Sequence, residues 1–424
     1  MELMVTLIVF IVCYLFLLWD QINRALVALC GAAILILFNI FSVDQALSTY
    51  VDWSTIVLLF SMMVLISITS KTGVFEFVSL WMIKKLNGRP VSLFIWIGVL
   101  TAVGSAFLDN VTMVLLLAPI ILSMVKQLNL PAVPFLIMVI ITSNIGGTAT
   151  MIGDPPNIMI GQAVERFTFM SFLIHLGPIV VVIFAISMFL LYLIFRKQLK
   201  QVSDLGAVDA IDPTQVIKKN PLLYQSLSVL TLTIIGFSLH GLLHVELTTI
   251  AFSAALLLLL LTEKENMAET VFEKMEWTTL FFFIGLFVLV GGLEEVGLID
   301  WMAKSFLNAT GGDEFKSTMV ILWSAGILSG FLDNIPYVAS MIPVIFEFEQ
   351  YGVMATDPMW WALALGACLG GNGTLLGASA NVVVVGIAST HQVKIRFMVF
   401  MMYGMLIVLL SMVLSSLYLL IRYF

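Results

Sequence analysis

One short acidic motif occurs twice in the apolar parts of this sequence. The tetrapeptide Phe-Leu-Asp-Asn ends at Asp109-Asn110 and again at Asp333-Asn334, each time between two apolar arms. Carboxylate and carboxamide oxygens suit hard cations, and an acid in apolar surroundings is by default a functional hypothesis. We therefore predict that these four residues bind a small cation, with Na⁺ as the candidate metal. An Asp in front of a helix is also a good N-cap, and capping is compatible with ion binding.

Two segments rich in Gly, Pro and Asn carry the remaining candidate ligands. They run from Ser143 to Asn157 (SNIGGTATMIGDPPN) and from Cys368 to Asn381 (CLGGNGTLLGASAN). Such residues unwind a helix, and the freed backbone groups are tolerated at membrane depth only inside protein or along a wet cavity. The predicted ion-binding or substrate-binding residues of these segments, with Thr112 beside the first tip, are Thr112, Ser143, Asn144, Gly146, Gly147, Thr148, Thr150, Asp154, Asn157, Gly370, Gly371, Asn372, Thr374, Ser379 and Asn381.

The charges around these motifs favour a cation over a multivalent anion. No Lys, Arg or His occurs in the surrounding stretches, residues 101–125, 136–162, 325–346 and 362–390. We therefore expect the acids to meet no basic side chain; a neutral polyhydroxylated solute is the other option. Asp154 is unmatched, because Ala378 takes the equivalent place in the second segment. This asymmetry suits a site where one carboxylate binds protons while the others coordinate a cation.

The elements that position these residues belong to a membrane protein. Of 424 residues, 61% are hydrophobic and 11% are charged, and the mean hydropathy is +1.10. A soluble domain carries about 25% charged residues. The basic patches of nucleic-acid-binding proteins are missing, and the three cysteines lie in separate apolar segments. Residues 4–18 resemble the apolar core of a signal peptide without a basic start or cleavage site, so we expect a retained span.

A shift of 224 residues aligns the two halves of the sequence without a gap from residue 53 to residue 157. Chance apolar similarity does not match such pairs as Trp53 with Trp277, Gly73 with Gly297, Asp109-Asn110 with Asp333-Asn334, Pro119 with Pro343, Gly146-Gly147 with Gly370-Gly371, Thr150 with Thr374, Gly153 with Gly377 and Asn157 with Asn381. We infer a duplicated membrane unit.

The predicted organisation has two membrane repeats joined by a polar cytoplasmic linker. The predicted bounds are 1–196 for the first repeat, with a hairpin at 91–126 and a broken helix at 132–162, then 197–220 for the linker, and 221–424 for the second repeat, with a hairpin at 317–347 and a broken helix at 359–388.

Counting the membrane crossings predicts that the second repeat is inverted. If each hairpin is re-entrant, each repeat has five crossings, an odd number. The fold predicted is an all-α polytopic membrane protein of about ten transmembrane helices, two re-entrant hairpins and two broken helices. With both termini outside, 15 basic residues lie on the inner side and 4 on the outer side, as the positive-inside rule requires. We expect a multi-pass protein of the cell (inner) membrane.

Four motifs, FLDNVTMVLLLAPI, SNIGGTATMIGDPPNIMIG, GFLDNIPYVASMIPV and GACLGGNGTLLGASANVVVVGIA, resemble the ion transporter superfamily. They are most similar to its ArsB/NhaD group, especially the melanosomal P protein and its bacterial relatives with a citrate-transporter-like permease domain. The resemblance implies that hairpins and broken helices form a mobile core, that a scaffold often dimerises, and that access alternates by an elevator movement. Related dicarboxylate carriers have Ser-Asn-Thr at both tips. Here the tips read Asp109-Asn110-Val111 and Asp333-Asn334-Ile335, a departure that leaves Na⁺/H⁺ exchange or arsenite-type efflux open.

The predicted function is secondary active ion transport, coupled to Na⁺ or H⁺ and without another cofactor. The nucleotide-binding pattern GxxxxGK[ST] is absent from the sequence; an ATPase subunit is compatible but not indicated. One alternative is a cation-coupled citrate or dicarboxylate carrier. An alternative of another class is an intramembrane enzyme, with Asp109 and Asp333 as an acid pair, but we expect no enzyme. The expected partners are the lipid bilayer, a small ion or solute and a second copy of the chain bound through scaffold helices, with no nucleic acid.

Overall fold

The computed structural model describes residues 2–19, 22–200, 212–217, 220–263, 266–351 and 355–424, and all regular structure in these ranges is helical. Seven of the described helices are long and apolar enough to cross a membrane. They are Trp53–Ser70, Pro90–Phe107, Asn110–Gln127, Phe169–Leu199, Pro221–Leu243, Trp277–Glu295 and Phe397–Tyr423. The prediction of an all-α polytopic membrane protein is confirmed.

The other helical elements are mostly shorter. They are Glu2–Trp19, Arg24–Leu37, Val43–Gln45, the π-helical turn Ala46–Tyr50, Val74–Lys85, Ala132–Gly147, Pro155–Ala163, the 3₁₀ turn Pro213–Gln215, Leu247–Leu261, Met267–Glu273, Leu298–Thr310, Glu314–Phe331, Asn334–Gln350, Asp357–Gly370 and Ser379–Thr390. Two apolar helices among them, Arg24–Leu37 and Leu247–Leu261, have only 14 and 15 residues. At 1.5 Å per residue they are shorter than a bilayer core of about 30 Å.

The 224-residue spacing of the sequence recurs in the helix boundaries. Helices that begin at positions 53, 74, 90, 110 and 155 have counterparts that begin at 277, 298, 314, 334 and 379. Gly73 and Gly297 precede the helices that begin at 74 and 298, and they adopt left-handed φ values of 77° and 71°. Glycine enters this conformation without the steric cost that a side chain brings, which explains why both positions are glycine.

Four elements surround the candidate residues, and we name them here. The first hairpin consists of Pro90–Phe107 and Asn110–Gln127, and the second hairpin of Glu314–Phe331 and Asn334–Gln350. The first broken helix consists of Ala132–Gly147 and Pro155–Ala163, and the second of Asp357–Gly370 and Ser379–Thr390.

The leading halves of both broken helices lie in the protein interior. Every residue from Pro134 to Gly147 and from Pro358 to Gly370 is buried. Glycines permit close contact with the first arm of each hairpin: a Cβ on Gly146 would lie 2.1 Å from the carbonyl oxygen of Ala102. The helix breaks are therefore enclosed by protein, the setting that an interrupted backbone requires at membrane depth.

The polar linker is described only in part. The helix Phe169–Leu199 extends three residues beyond the predicted end of the first repeat. Within the predicted linker, the turn Pro213–Gln215 lies beside the start of helix Val74–Lys85. The carbonyl oxygen of Val216, the residue after this turn, would lie 2.1 Å from a Cβ added to Gly73. Residues 201–211, 218 and 219 of this linker lie outside the described residues.

Candidate functional site

Two asparagines hold the interrupted backbone of the broken helices. Asn157 Nδ2 donates to the carbonyl oxygens of Gly147, Thr148 and Thr150, at 3.4, 3.1 and 2.9 Å. In the second broken helix, Asn381 Nδ2 donates to the carbonyl oxygens of Gly371 and Thr374, at 2.7 and 2.9 Å. Each side chain thus satisfies carbonyl groups that a continuous helix would have paired internally.

Asn144 links both broken helices and the first hairpin. Its Nδ2 donates to the Oδ1 atoms of Asn372 and Asn381, both at 3.0 Å. Its Oδ1 accepts a hydrogen bond of 3.2 Å from Asn110 Nδ2. All four side chains are at most 2% exposed, so a buried carboxamide network joins the predicted site residues of both halves.

The tip of the first hairpin carries a carboxylate bonded to uncharged donors. Asp109 caps the helix Asn110–Gln127, since its oxygens accept from the backbone N–H of Thr112 at 2.8 Å and from the Thr112 hydroxyl at 2.5 Å. The backbone N–H of Asn110 donates to the Gly153 carbonyl oxygen at 3.1 Å. In the part of the chain that the structure describes, no basic side chain forms an ion pair with Asp109.

The tip of the second hairpin differs, because its carboxylate is paired with Arg24. The Arg24 guanidinium donates to Asp333 and, at 3.2 Å, to the Ser379 hydroxyl. The Ser379 hydroxyl itself donates to Asp333 at 3.0 Å. Asp333 also caps its helix, accepting from the Ile335 N–H at 3.3 Å. The expectation that no basic side chain reaches these acids is therefore wrong: the guanidinium comes from a helix distant in sequence.

Asp154 is the most enclosed acid of the site. Its carboxylate is part of a residue only 1% exposed, and both of its oxygens lie 3.4 Å from Asn334 Nδ2. The Cys368 thiol donates to Asn157 Oδ1 at 3.4 Å. Asn334 follows Asp333, and the N–H of Asn110, which follows Asp109, bonds the carbonyl oxygen of Gly153, the residue before Asp154. The three acids therefore belong to one region.

Two buried polar atoms of the network have no hydrogen-bond partner. They are Asn110 Oδ1 and Asn372 Nδ2. An unpaired buried polar atom costs about 1–3 kcal/mol, and most such atoms in proteins find a partner. One acceptor and one donor beside Asn144 are therefore available to an ion, a solute or water.

Several predicted residues serve the backbone rather than an open site. The hydroxyls of Ser143 and Thr148 donate to carbonyls of their own helix, at 2.9 and 2.7 Å, and Thr150 donates to the Ala106 carbonyl. Thr374 Oγ1 accepts from the Leu376 N–H at 3.1 Å. The predicted glycines, Gly146, Gly147, Gly370 and Gly371, allow close backbone packing, with carbonyl oxygens within 3.1 Å of an added Cβ.

Cavities lie near the two hairpins, on opposite sides in the predicted topology. A cavity of about 400 Å³ on the predicted outer side includes Asp52, Gln162, Glu294 and Glu347 in its lining. A cavity of about 140 Å³ on the predicted inner side is lined by Ser67, Ser70, Thr112, Lys274 and Glu276 among others. The inner cavity reaches Thr112, the residue whose hydroxyl bonds Asp109.

The arrangement suits a small hard cation better than a transition metal. Within the described ranges, three or more His, Cys, Asp or Glu side chains do not come together as a metal-binding group. Carboxylate, carboxamide and hydroxyl oxygens are instead supplied by Asp109, Asn110 and Thr112, with Asp154 nearby. Oxygen donors of this kind are those that alkali and alkaline-earth ions prefer.

Sequence reasoning missed Arg24 and gave Cys368 little weight. Arg24 begins a helix that Asn23 caps, with Asn23 Oδ1 accepting from the Ala25 N–H at 2.9 Å. It is more than 300 residues from Asp333 in sequence, so no local pattern links the two. Cys368 could have been found from the repeat alignment, because it occupies the position equivalent to Asn144.

Comparison with known proteins agrees with this architecture. The family described as Citrate transporter matches residues 14–366. The 46 kDa membrane protein of Mycobacterium leprae is 37% identical over 428 residues, which cover 99% of this chain and 98% of that protein. An uncharacterized transporter of Mycobacterium tuberculosis is 36% identical over 428 residues, with the same coverage.

Two further relatives are more distant. The human P protein is 30% identical over 493 residues, covering 97% of this chain and 59% of the P protein. The crystal structure of the Alcanivorax borkumensis YdaH transporter shares the fold, with a TM-score of 0.57 and 13% identity over 96% of this chain and 97% of that chain. The intramembrane-enzyme alternative is wrong, because the family that matches residues 14–366 is described as Citrate transporter and a relative that covers 99% of this chain is named a transporter. The chain belongs to the citrate transporter family.

Proposed function

We propose that this protein is a secondary active ion transporter, coupled to Na⁺ or H⁺, whose cation binds beside Asp109. The observation that carries the proposal is the meeting of both hairpin tips and both helix breaks around Asn144 and Asp154. Discontinuous helices at matching places in two halves are a mark of transporter binding sites. Asn110 Oδ1, a buried oxygen without a hydrogen-bond partner, supplies a ligand there, and cation/proton exchange or arsenite-type efflux are the activities that fit.

The proposed movement is an elevator-type exchange between two inverted repeats. The 224-residue spacing of the helix starts supports two equivalent units, and an odd number of crossings per unit makes the second run in the opposite direction. The cavities near the two hairpins, of about 400 and 140 Å³, are candidate routes to the site from the two sides of the membrane.

Two arguments support a second candidate, a cation-coupled citrate or dicarboxylate carrier. The matching family is described as Citrate transporter, and the Arg24 guanidinium lies at the second tip. A guanidinium binds carboxylates well, although here it is engaged by Asp333. Transport of citrate would require that this ion pair open.

Flux into proteoliposomes tests the proposal and separates the candidates. Imposed Na⁺, pH, arsenite and citrate gradients are applied one at a time, and uptake of ²²Na⁺, movement of protons and uptake of labelled solute are recorded. Cation/proton exchange predicts Na⁺ flux driven by a pH gradient without citrate, whereas a carrier predicts Na⁺ flux only with citrate. Flux under none of these gradients would contradict both.

The variant Asp109→Asn tests the location of the cation. Charge-assisted contacts are worth about 1.5–3 kcal/mol each, so we expect coupled transport to fall at least about tenfold. The amide can still accept from Thr112, so the cap and the fold should persist, as checked by size-exclusion chromatography. Unchanged flux in Asp109→Asn would mean that this carboxylate is only a helix cap.

A further inference from the structure

The two hairpin tips are equivalent in sequence but differ in charge environment. At the second tip, Asp333 is 8% exposed and forms an ion pair with Arg24, which is 17% exposed. The Ser379 hydroxyl bonds both groups, because it accepts from Arg24 and donates to Asp333. At the first tip, Asp109 bonds the N–H and hydroxyl of Thr112, and no described basic side chain pairs with it.

The repeat alignment explains why only one tip has a guanidinium. The shift of 224 residues places Pro155 opposite Ser379, and the helix that corresponds to Arg24–Leu37 begins at the apolar Leu247. The next residue, Thr248, is uncharged, and its hydroxyl donates to the Ser54 carbonyl oxygen at 3.2 Å. The first tip therefore lacks counterparts of both groups that surround the carboxylate of the second tip.

The surroundings of the first tip leave a place for a mobile ion. The adjacent Asn110 is 2% exposed, and its Oδ1 has no hydrogen-bond partner. Thr112, bonded to Asp109, lines a cavity of about 140 Å³. The space beside Arg24 and Asp333 is only about 20 Å³, close to the minimum for a single water.

We propose that Arg24 is a tethered cation that occupies the second of two equivalent carboxylate sites, so that only the Asp109 tip takes up a mobile cation. The inference rests on the proposed function for the identity of the mobile ion as a small cation. A guanidinium is always charged, so Asp333 is neutralised without an ion from solution. Arg24 thereby sets the number of cations that the chain binds.

Equilibrium binding of ²²Na⁺ to the purified full-length protein tests this assignment, at acidic and at alkaline pH. Arg24→Met removes the charge and keeps an unbranched side chain. We expect it to bind one more Na⁺ per chain than the unaltered protein. Arg24→Lys keeps a tethered charge and should bind the unaltered number. In Arg24→Met/Asp333→Asn both charges are gone, and the number should again be unaltered.

A matched control removes an ion pair away from the tips. Arg166 pairs with Glu349 and Asp357 at 3.2 and 2.8 Å and is 47% exposed; Arg166→Met should leave the Na⁺ count unchanged. If Arg24→Met does not fold, the double variant decides, because a changed count there overturns the assignment.

Failure of the inference and failure of the proposed function are distinguishable. The inference is tested by the number of Na⁺ ions bound per chain in Arg24→Met and in the unaltered protein. Equal numbers at both pH values overturn it. The proposed function is tested by Na⁺ binding to the unaltered protein and by its flux in proteoliposomes. Extra Na⁺ bound by Arg24→Met supports the tethered-cation role even if the unaltered protein binds none.

Discussion

Carboxamides rather than charges connect the buried polar groups of the site: among the described residues six asparagines are buried, but only one charged side chain, Asp154. Asn157 and Asn381 satisfy carbonyls at the two helix breaks, while Asn144 bridges both breaks and the first tip. A carboxamide offers two donors and an acceptor, so it can bond backbone and neighbour together. Burying it costs less than burying an unpaired charge, which leaves the few acids for ion binding.

Replacement of Asn144 should destabilise the protein. Asn144→Ala leaves Asn110, Asn372 and Asn381 each without one partner, and an unsatisfied buried group costs about 1–3 kcal/mol. We expect a clear fall in Tm in detergent, measured by thermal shift. Asn308→Ala, at an exposed helical position, is the control and should change Tm little. A Tm unaffected in both variants would contradict the network.

Asp154 is expected to couple cation binding to protons. A ligand that binds only the folded protein raises stability by RT ln(1 + [L]/Kd), so Na⁺ should raise Tm. If protons compete for Asp154, this gain should be larger at alkaline than at acidic pH. Asp154→Asn cannot bind a proton in that range and should flatten the dependence. Series in K⁺ or choline provide the control, and a pH dependence retained in Asp154→Asn would refute the role.

The broken helices and hairpins depend on backbone contact. Gly146 lies against the Ala102 carbonyl of the first hairpin, and Gly370 lies against Gly326 of the second, with an added Cβ 2.6 Å from its carbonyl oxygen. Small residues let membrane helices approach closely, where packing replaces a hydrophobic driving force. Hairpin and broken helix are thus held together as one unit in each half.

A pair of glycine substitutions tests this contact. Gly146→Ala would place a Cβ 2.1 Å from the Ala102 oxygen, which forces the two helices apart; we expect a lower Tm and loss of transport. Gly386→Ala, in the second broken helix, meets nothing within 4 Å and should be neutral or stabilising by up to about 1 kcal/mol. Equal effects of both substitutions would count against the packing argument.

At the scale of the whole molecule, the predicted topology places most basic residues on one side of the membrane. In the predicted topology 15 of the 19 basic residues face the cytoplasm, which orients the chain in the membrane. The cavity bordered by Asp52, Glu294 and Glu347 then opens to the outside. Acidic side chains there would raise the local concentration of cations, in keeping with a cation as cargo or coupling ion.

Cysteine labelling tests this orientation. In a protein with its native cysteines replaced by Ser, Lys197→Cys and Lys316→Cys introduce thiols at exposed positions predicted to lie inside and outside, respectively. An impermeant maleimide applied to intact cells should label only Lys316→Cys, and both after lysis. Labelling of Lys197→Cys in intact cells would mean that the predicted orientation is wrong.

The sequence by itself determined the membrane class, the helical breaks and the 224-residue spacing. These features depend on composition and on local backbone chemistry: long apolar runs need lipid, and clusters of Gly, Pro and Asn interrupt helices. The choice of Asp109, Asn110, Asn144 and Asp154 likewise followed from polar residues placed where apolar ones are expected.

Only the tertiary structure decided which partner each polar group receives. Arg24 reaches Asp333 across the fold, and Asn144 bonds Asn372 and Asn381 of the other half. Such pairings depend on how helices distant in sequence pack, which no local pattern encodes. The two tips therefore look alike in sequence and differ in space, since one carboxylate faces a guanidinium and the other bonds only uncharged groups among the described residues.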